Sequence, residues 1–191
     1  DGQIVYASHE ERHTRIKNDS SFPFLSILNG LEYLKLDKNK IKKIIFHESL
    51  NSLRPHQSRE IKKRLKSDLS FIDIKLKEIK FLDHHFSHAA AGYFSSNFTD
   101  ALIFSFDGMG ESISTSVFLG KDNKIYNVKK ICSPNSIGLL YSAFTYFLGF
   151  EVNSGEYKMM GLSPYGKNIY EEKIFSELVT LFEDGSFQIN Q

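Results

Sequence analysis

Apolar residues recur at helical spacing in two stretches and alternate with polar ones in others, and these patterns order the chain. Phe24, Ile27, Leu28, Leu31 and Leu34 fall three or four apart, which predicts a helix. Ser20-Ser21-Phe22-Pro23 before it offers a hydroxyl cap and a proline near the first turn. Residues 58–69 repeat the pattern, with Ile61, Leu65 and Leu69 on one stripe; Lys62, Lys63, Arg64 and Lys66 opposite read as a solvated face. Residues 3–8 read as a strand after a turn at Asp1-Gly2, and 41–47 as a short strand with an apolar centre. Residues 77–82 form a strand that feeds a histidine-rich helix, and 101–106 read as a buried strand. Residues 112–119 and 125–131 alternate and predict antiparallel strands. Residues 137–150 are apolar except for Ser142, Thr145 and two glycines, and read as a buried helix. No apolar run reaches the ~18 residues of a membrane span. Residues 151–167 read as irregular, 169–183 as a last helix, and 186–191 as the start of a further element. Helices and strands alternate before three strands come in succession, which points to a layered α/β fold with added antiparallel strands.

Composition narrows the picture. The chain has 191 residues, ordinary apolar and charged fractions, and a net charge of +1. That suits one large domain, or one with an appendage, and nothing in the charge calls for nucleic acid or an anionic membrane. The single Cys132 excludes an intramolecular disulfide and a thiolate metal cluster, and a reducing, cytoplasmic setting is expected. The start, Asp1-Gly2-Gln3, lacks an initiator Met and reads as a turn after a strand, so a fragment lacking its first strand is expected.

Candidate chemistry concentrates in residues 83–111. His84 and His88 stand four apart, one turn apart on one face of a helix. Two such imidazoles grip a metal when a third ligand arrives, and Asp107, at the exit of the 101–106 strand, is the candidate. Two imidazoles and a carboxylate suit Fe(II), Zn(II) or Mn(II) alike. His85 points about 100° away and is a candidate contact for a ligand phosphate. Gly108, Gly110 and Glu111 follow Asp107 in a turn whose amides suit an anion, although a plain hairpin gives the same pattern. Ser114, Thr115 and Ser116 offer hydroxyls to phosphate, or are strand surface. Arg12, Arg15 and Lys17 suit a small phosphorylated substrate, or a charged surface loop. Residues 153–166, with Gly155, Lys158 and Gly161, suit a nucleotide-contacting loop running into a short helix, or an ordinary connection. Neither a P-loop nor a GxSxG nucleophile elbow is present.

Four segments together carry a family resemblance: EERHTRIKND, DHHFSHAAAGYF, the strand ending DGMGES, and GLLYSAFTYFLGFEVNSGEYKMMGLSPYG. The chain resembles the N-terminal domain of the ATP-dependent O-carbamoyltransferases, the group that contains nodulation and antibiotic-tailoring carbamoyltransferases. The resemblance implies an actin-like ATPase fold, ribonuclease H-like, similar to that of the tRNA threonylcarbamoyl-transferring proteins: a mixed sheet with flanking helices. Residues 1–191 would be a fragment of that domain, lacking its first strand and second half, with further domains outside it. It also implies ATP and carbamoyl phosphate as substrates, a carbamoyl-adenylate, and transfer to a hydroxyl of a small-molecule or saccharide acceptor. On that resemblance His84, His88 and Asp107 hold a divalent metal, iron as the usual ion, with a further Asp ligand beyond Gln191. Lys17, with Arg12 and Arg15, falls where carbamoyl phosphate is handled. Gly108, Gly110 and Glu111 fall in the phosphate turn, and Gly155, Lys158 and Gly161 in the nucleotide pocket. Two other readings stay open: a threonylcarbamoyl-adenylate-using enzyme acting on tRNA, and a non-catalytic metal- or nucleotide-binding module.

Overall fold

A computed structural model describes residues 3–49, 54–74 and 78–190, divided into two compact units, Asp1–Asp83 and His84–Gln191. The predicted turn at Asp1-Gly2 and the strand start at Lys77 lie outside the described residues.

In the first unit, α1 (Glu11–Thr14) and α2 (Phe24–Tyr33) precede a short 3-10 turn, Lys38–Lys40. Strand β1 (Ile44–Phe46), helix α3 (Pro55–Phe71) and strand β2 (Ile79–Phe81) then follow. The two strands pair in parallel, Ile44 beside Ile79 and Phe46 beside Phe81, so α3 is their crossover. Helix α3 starts earlier than its apolar stripe implies, because Pro55 suits a first helical position and the Gln57 side chain accepts the Arg54 amide at 3.0 Å. Leu65 and Leu69 of that stripe are buried with Ile72 and Ile74, and Ile27, Leu31, Ile44, Phe46, Ile79 and Phe81 pack on them. The basic residues opposite are exposed, as predicted.

Two expectations for this unit are corrected. Residues 3–8 form no strand among the described residues; Ile4 and Val5 are exposed and no ladder partner lies beside them. The start of α2 carries no serine cap: its boundary residue is Pro23, and no side chain there caps it. Buried Glu10 supplies the acceptors from a distance, its carboxylate oxygens accepting the amides of Leu25 (2.9 Å) and Ser26 (2.8 Å). Burial pushes the Glu10 carboxyl up, but these amides and nearby His13 outweigh it and hold it below the usual range.

In the second unit, α4 (His84–Ser95) leads into strands β3 (Asp100–Gly110), β4 (Ile113–Lys121) and β5 (Lys124–Cys132). These form one antiparallel sheet in the order β3-β4-β5, as the alternation predicts for the last two. Helix α4 packs on β3 and β4, burying His85, Ala89 and Tyr93 at four-residue intervals. Gly120 is needed beneath Tyr93, since a Cβ there would lie 2.6 Å from the ring. Helix α5 (Ile137–Phe147) is capped by Ser136, whose hydroxyl accepts the Leu139 amide at 3.0 Å. Helix α6 (Glu156–Leu162), a 3-10 turn at Ser163–Tyr165, α7 (Glu171–Glu177) and a hairpin of β6 (Val179–Leu181) and β7 (Phe187–Ile189) complete the unit.

The structure departs from the sequence expectations here in four places. Strand β3 is longer than predicted and only one side of it is covered; Leu102, Phe104 and Phe106 alternate to the exposed side. Helix α5 is not buried: it packs on β3 and α6, leaves Tyr146 and Phe147 exposed, and buries only Thr145. Part of the stretch 151–167 is helical, because Glu156 turns back to accept the Asn153 amide at 2.9 Å and starts α6. The last predicted helix stops at Glu177, and Val179 joins a β-hairpin that buries it with Phe187. The chain is thus a mixed α/β protein, and its described strands are shared among three small sheets, one parallel and two antiparallel.

Candidate metal centre

Helix α4 and strand β3 bring three ligand-type side chains to one point. The Nε2 atom of His84 lies 2.7 Å from Oδ2 of Asp107 and 3.0 Å from Nε2 of His88, and His88 Nε2 lies 3.7 Å from the same Oδ2. An ion held at about 2.1 Å by each donor spaces its ligand atoms by roughly 3–3.4 Å. The observed separations therefore fit an ion after small movements, and the donor set is the one read from the sequence. Partial burial pushes the Asp107 carboxyl up. The His84 hydrogen bond, the Gly108 amide and proximity to both imidazoles outweigh burial and hold it below the usual carboxylate range. It stays ionised, as a metal ligand must.

Backbone packing sets the reach of Asp107. The β3–β4 ladder runs to Phe106 beside Thr115, then resumes at Gly110 beside Ile113, so residues 107–109 bulge out of register. Other contacts hold the bulge. Oδ1 of Asp107 accepts the Gly108 amide at 2.7 Å, and the buried Ser136 hydroxyl donates to the Gly108 carbonyl at 2.6 Å. A Cβ on Gly138 would lie 2.6 Å from the Asp107 carbonyl oxygen, so α5 approaches the bulge only because residue 138 has no side chain. A Cβ on Gly110 would lie 2.4 Å from Cδ2 of His84 and 3.0 Å from both Oδ2 of Asp107 and Cδ2 of His85. Gly110 thus serves as a gap for the histidines, a spatial role that the residue spacing alone does not reveal. Ser136 and Gly138 were missed entirely, and only a serine cap signal before an apolar run pointed near them.

Two candidates for phosphate contact are corrected. His85 is fully buried, and its Nε2 lies 3.0 Å from the Ile113 carbonyl oxygen, which it can only meet as a donor. Burial holds this imidazole below the usual histidine range, against the Ile113 carbonyl and Asp107. Ser114, Thr115 and Ser116 are buried in β4, and the Ser114 hydroxyl donates to the carbonyls of Ile131 and Asn135.

The remaining predicted residues lie elsewhere. Glu111 stands in the β3–β4 turn with φ 64°, beside Gly110. Gly155 begins α6, where a Cβ would lie 2.6 Å from the Glu151 carbonyl oxygen; its constraint is the local chain. Lys158 and Gly161 are exposed on the same helix, and Lys158 extends over the Tyr157 ring. Arg12, Arg15 and Lys17 belong to the first unit, where all three are exposed and form no ion pair among the described residues. Arg15 takes a left-handed conformation, φ 63°, at the end of α1.

Residues 32–191 match the family described as carbamoyltransferase N-terminus. The chain belongs to that family. An uncharacterized protein of Synechocystis is 37% identical over 219 residues, covering 100% of this chain and 36% of its own length. The nodulation protein NolNO of Sinorhizobium fredii is 29% identical, covering 99% of this chain and 30% of its own length. NolO of Bradyrhizobium diazoefficiens is 30% identical over 57% of this chain and 20% of its own length. The carbamoyltransferase N-terminus chain thus spans about a third or less of these curated relatives. No described helix is long and apolar enough to cross a membrane.

Proposed function

We propose that this chain is the metal- and phosphate-handling part of an O-carbamoyltransferase. The enzyme takes ATP and carbamoyl phosphate, forms a carbamoyl-adenylate, and passes the carbamoyl group to a hydroxyl of a small-molecule or saccharide acceptor in the cytoplasm. In balance, ATP loses pyrophosphate, carbamoyl phosphate gives up its phosphate to water, and the acceptor hydroxyl displaces AMP. The observation that carries this reading is the convergence of His84, His88 and Asp107 in a member of the carbamoyltransferase N-terminus family. These three residues would hold the divalent ion, iron in this reading. When bound, such an ion supplies Lewis acidity toward phosphoryl oxygens.

The protein's own groups have distinct tasks. Gly108, Gly110 and Glu111 shape the turn that receives phosphate beside the ion. Arg12, Arg15 and Lys17 supply positive charge to carbamoyl phosphate; the two guanidinium groups are suited to bidentate contact with its oxygens. Gly155, Lys158 and Gly161 serve the nucleotide. The partners are small molecules, without nucleic acid or membrane, and the net charge of +1 accords with this.

Pyrophosphate release by the intact protein carrying this chain tests the proposal, with ATP present and carbamoyl phosphate added or omitted. Release that depends on carbamoyl phosphate is expected. No dependence on carbamoyl phosphate, in folded and metal-loaded protein, refutes the reading and leaves the tRNA-directed and binding-module alternatives.

A further inference from the structure

We infer that His85 is a positioning residue for the metal centre, acting as a pin that fixes the β3–β4 connection and thereby the reach of Asp107. The inference rests on the metal reading of His84, His88 and Asp107. Helix α4 presents two adjoining stripes. His84 and His88 face the ligand cluster, whereas His85, Ala89 and Tyr93 face the sheet. A buried stripe is cheapest when apolar, because an imidazole taken from water must recover its hydrogen bonds. His85 recovers only one: its Nε2–H donates to the Ile113 carbonyl at 3.0 Å, while buried Nδ1 has no partner among the described residues.

The place of that one bond explains the choice. Ile113 pairs with Gly110, the first register contact after the bulge. The strand ladder cannot position Asp107, since residues 107–109 are out of register. Constraint comes from the two ends of the bulge. On one side Ser136 holds the Gly108 carbonyl at 2.6 Å. On the other, His85 ties Ile113 to α4, and the His84 and His85 rings both lie against Gly110, at 2.4 and 3.0 Å from where its Cβ would stand. The helix that carries two ligands therefore also grips the turn that follows the third. An aliphatic residue at 85 fills the space but removes the imidazole donor from the Ile113 carbonyl, and with it the tie that keeps the turn from shifting against α4.

The test is Co(II) binding by the intact protein carrying this chain, read from d–d absorption and calorimetry, for wild type, His85→Leu and His85→Gln. His85→Leu is expected to bind about 10- to 100-fold more weakly, with an altered spectrum, as when outer supports of a metal site are removed. His85→Gln, whose amide nitrogen donates to the same carbonyl, is expected to recover most of the affinity and the wild-type spectrum. Wild-type affinity and spectrum in His85→Leu overturn the pin while leaving the metal reading intact. Equal loss in both variants assigns the effect to packing and also overturns it. Failure of the intact wild-type protein to bind Co(II) removes the metal reading, and this inference with it. If His85→Leu does not fold, imidazole 15N spectra of the wild type decide: a proton on Nε2 is expected, and a proton on Nδ1 overturns the pin.

Discussion

Replacing Gly110 with alanine adds one methyl group at a crowded point of the candidate metal centre. The backbone at 110 has a conformation open to any residue, so the effect comes from space alone. The new Cβ stands 2.4 Å from Cδ2 of His84. Carbon atoms rest at about 3.5–4.0 Å, so the ring must retreat by roughly 1 Å. The methyl is also crowded by Oδ2 of Asp107 and Cδ2 of His85, each 3.0 Å away. Cδ2 is bonded to Nε2, the donor atom, so the donor moves with it, well beyond the ~0.2 Å tolerance of a metal–ligand distance. Overpacking of this kind costs about 1–3 kcal/mol. Charged against the bound form, that weakens metal binding by about 5- to 150-fold. The assay is Co(II) or Zn(II) calorimetry beside thermal melting, with Gly92→Ala as the control. Gly92 lies on α4, the helix that carries the histidines, with open space around its Cβ position, so that variant should keep its affinity and gain about 0.5–1 kcal/mol of stability. Unchanged affinity in folded Gly110→Ala refutes the argument that the histidines need this gap.

Glu10→Gln should destabilise the first unit by about 1–3 kcal/mol in urea unfolding, because the carboxylate oxygens that accept the Leu25 and Ser26 amides are replaced by one acceptor and one donor. Its folded pKa lies below the ordinary glutamate value of 4.5, so the wild-type contribution is complete above that pH and lost as pH falls through the folded value. A urea series from neutral to acid pH should show a smaller acid loss in the variant. Leu69→Ala, at a residue only 1% exposed in the first core, should cost about 2–5 kcal/mol by the same measurement. Gly120→Ala forces a methyl 2.6 Å from the buried Tyr93 ring and should lower stability by about 1–3 kcal/mol, seen as a lower melting temperature.

Much of this chain is legible locally. Helical spacing of Leu65 and Leu69, the hydrophobic alternation in β4 and β5, and the four-residue interval of His84 and His88 are short-range facts. Backbone geometry alone converts them into a buried stripe, a hairpin and a two-histidine face. Asp107 was found because an acidic residue ends an apolar strand. The readings that failed had another origin. The 3–8 segment has strand-like residues but no strand partner among the described residues, and a strand exists only by pairing. The apolar run in α5 was read as buried, yet burial depends on what covers each side, and α5 is covered only in part.

The sequence by itself determined most local elements, the paired imidazoles and the residue types of the candidate metal centre, because these depend on chemistry and spacing within a few residues. Only the tertiary structure decided which distant polar groups meet. Glu10 reaches the start of α2 across 15 residues, His84 meets Asp107 across 23, and His85 finds Ile113 across 28. It also decided why residue 110 lacks a side chain. Such contacts form where packing closes a long loop, and no local pattern encodes which donor will face which acceptor once it closes.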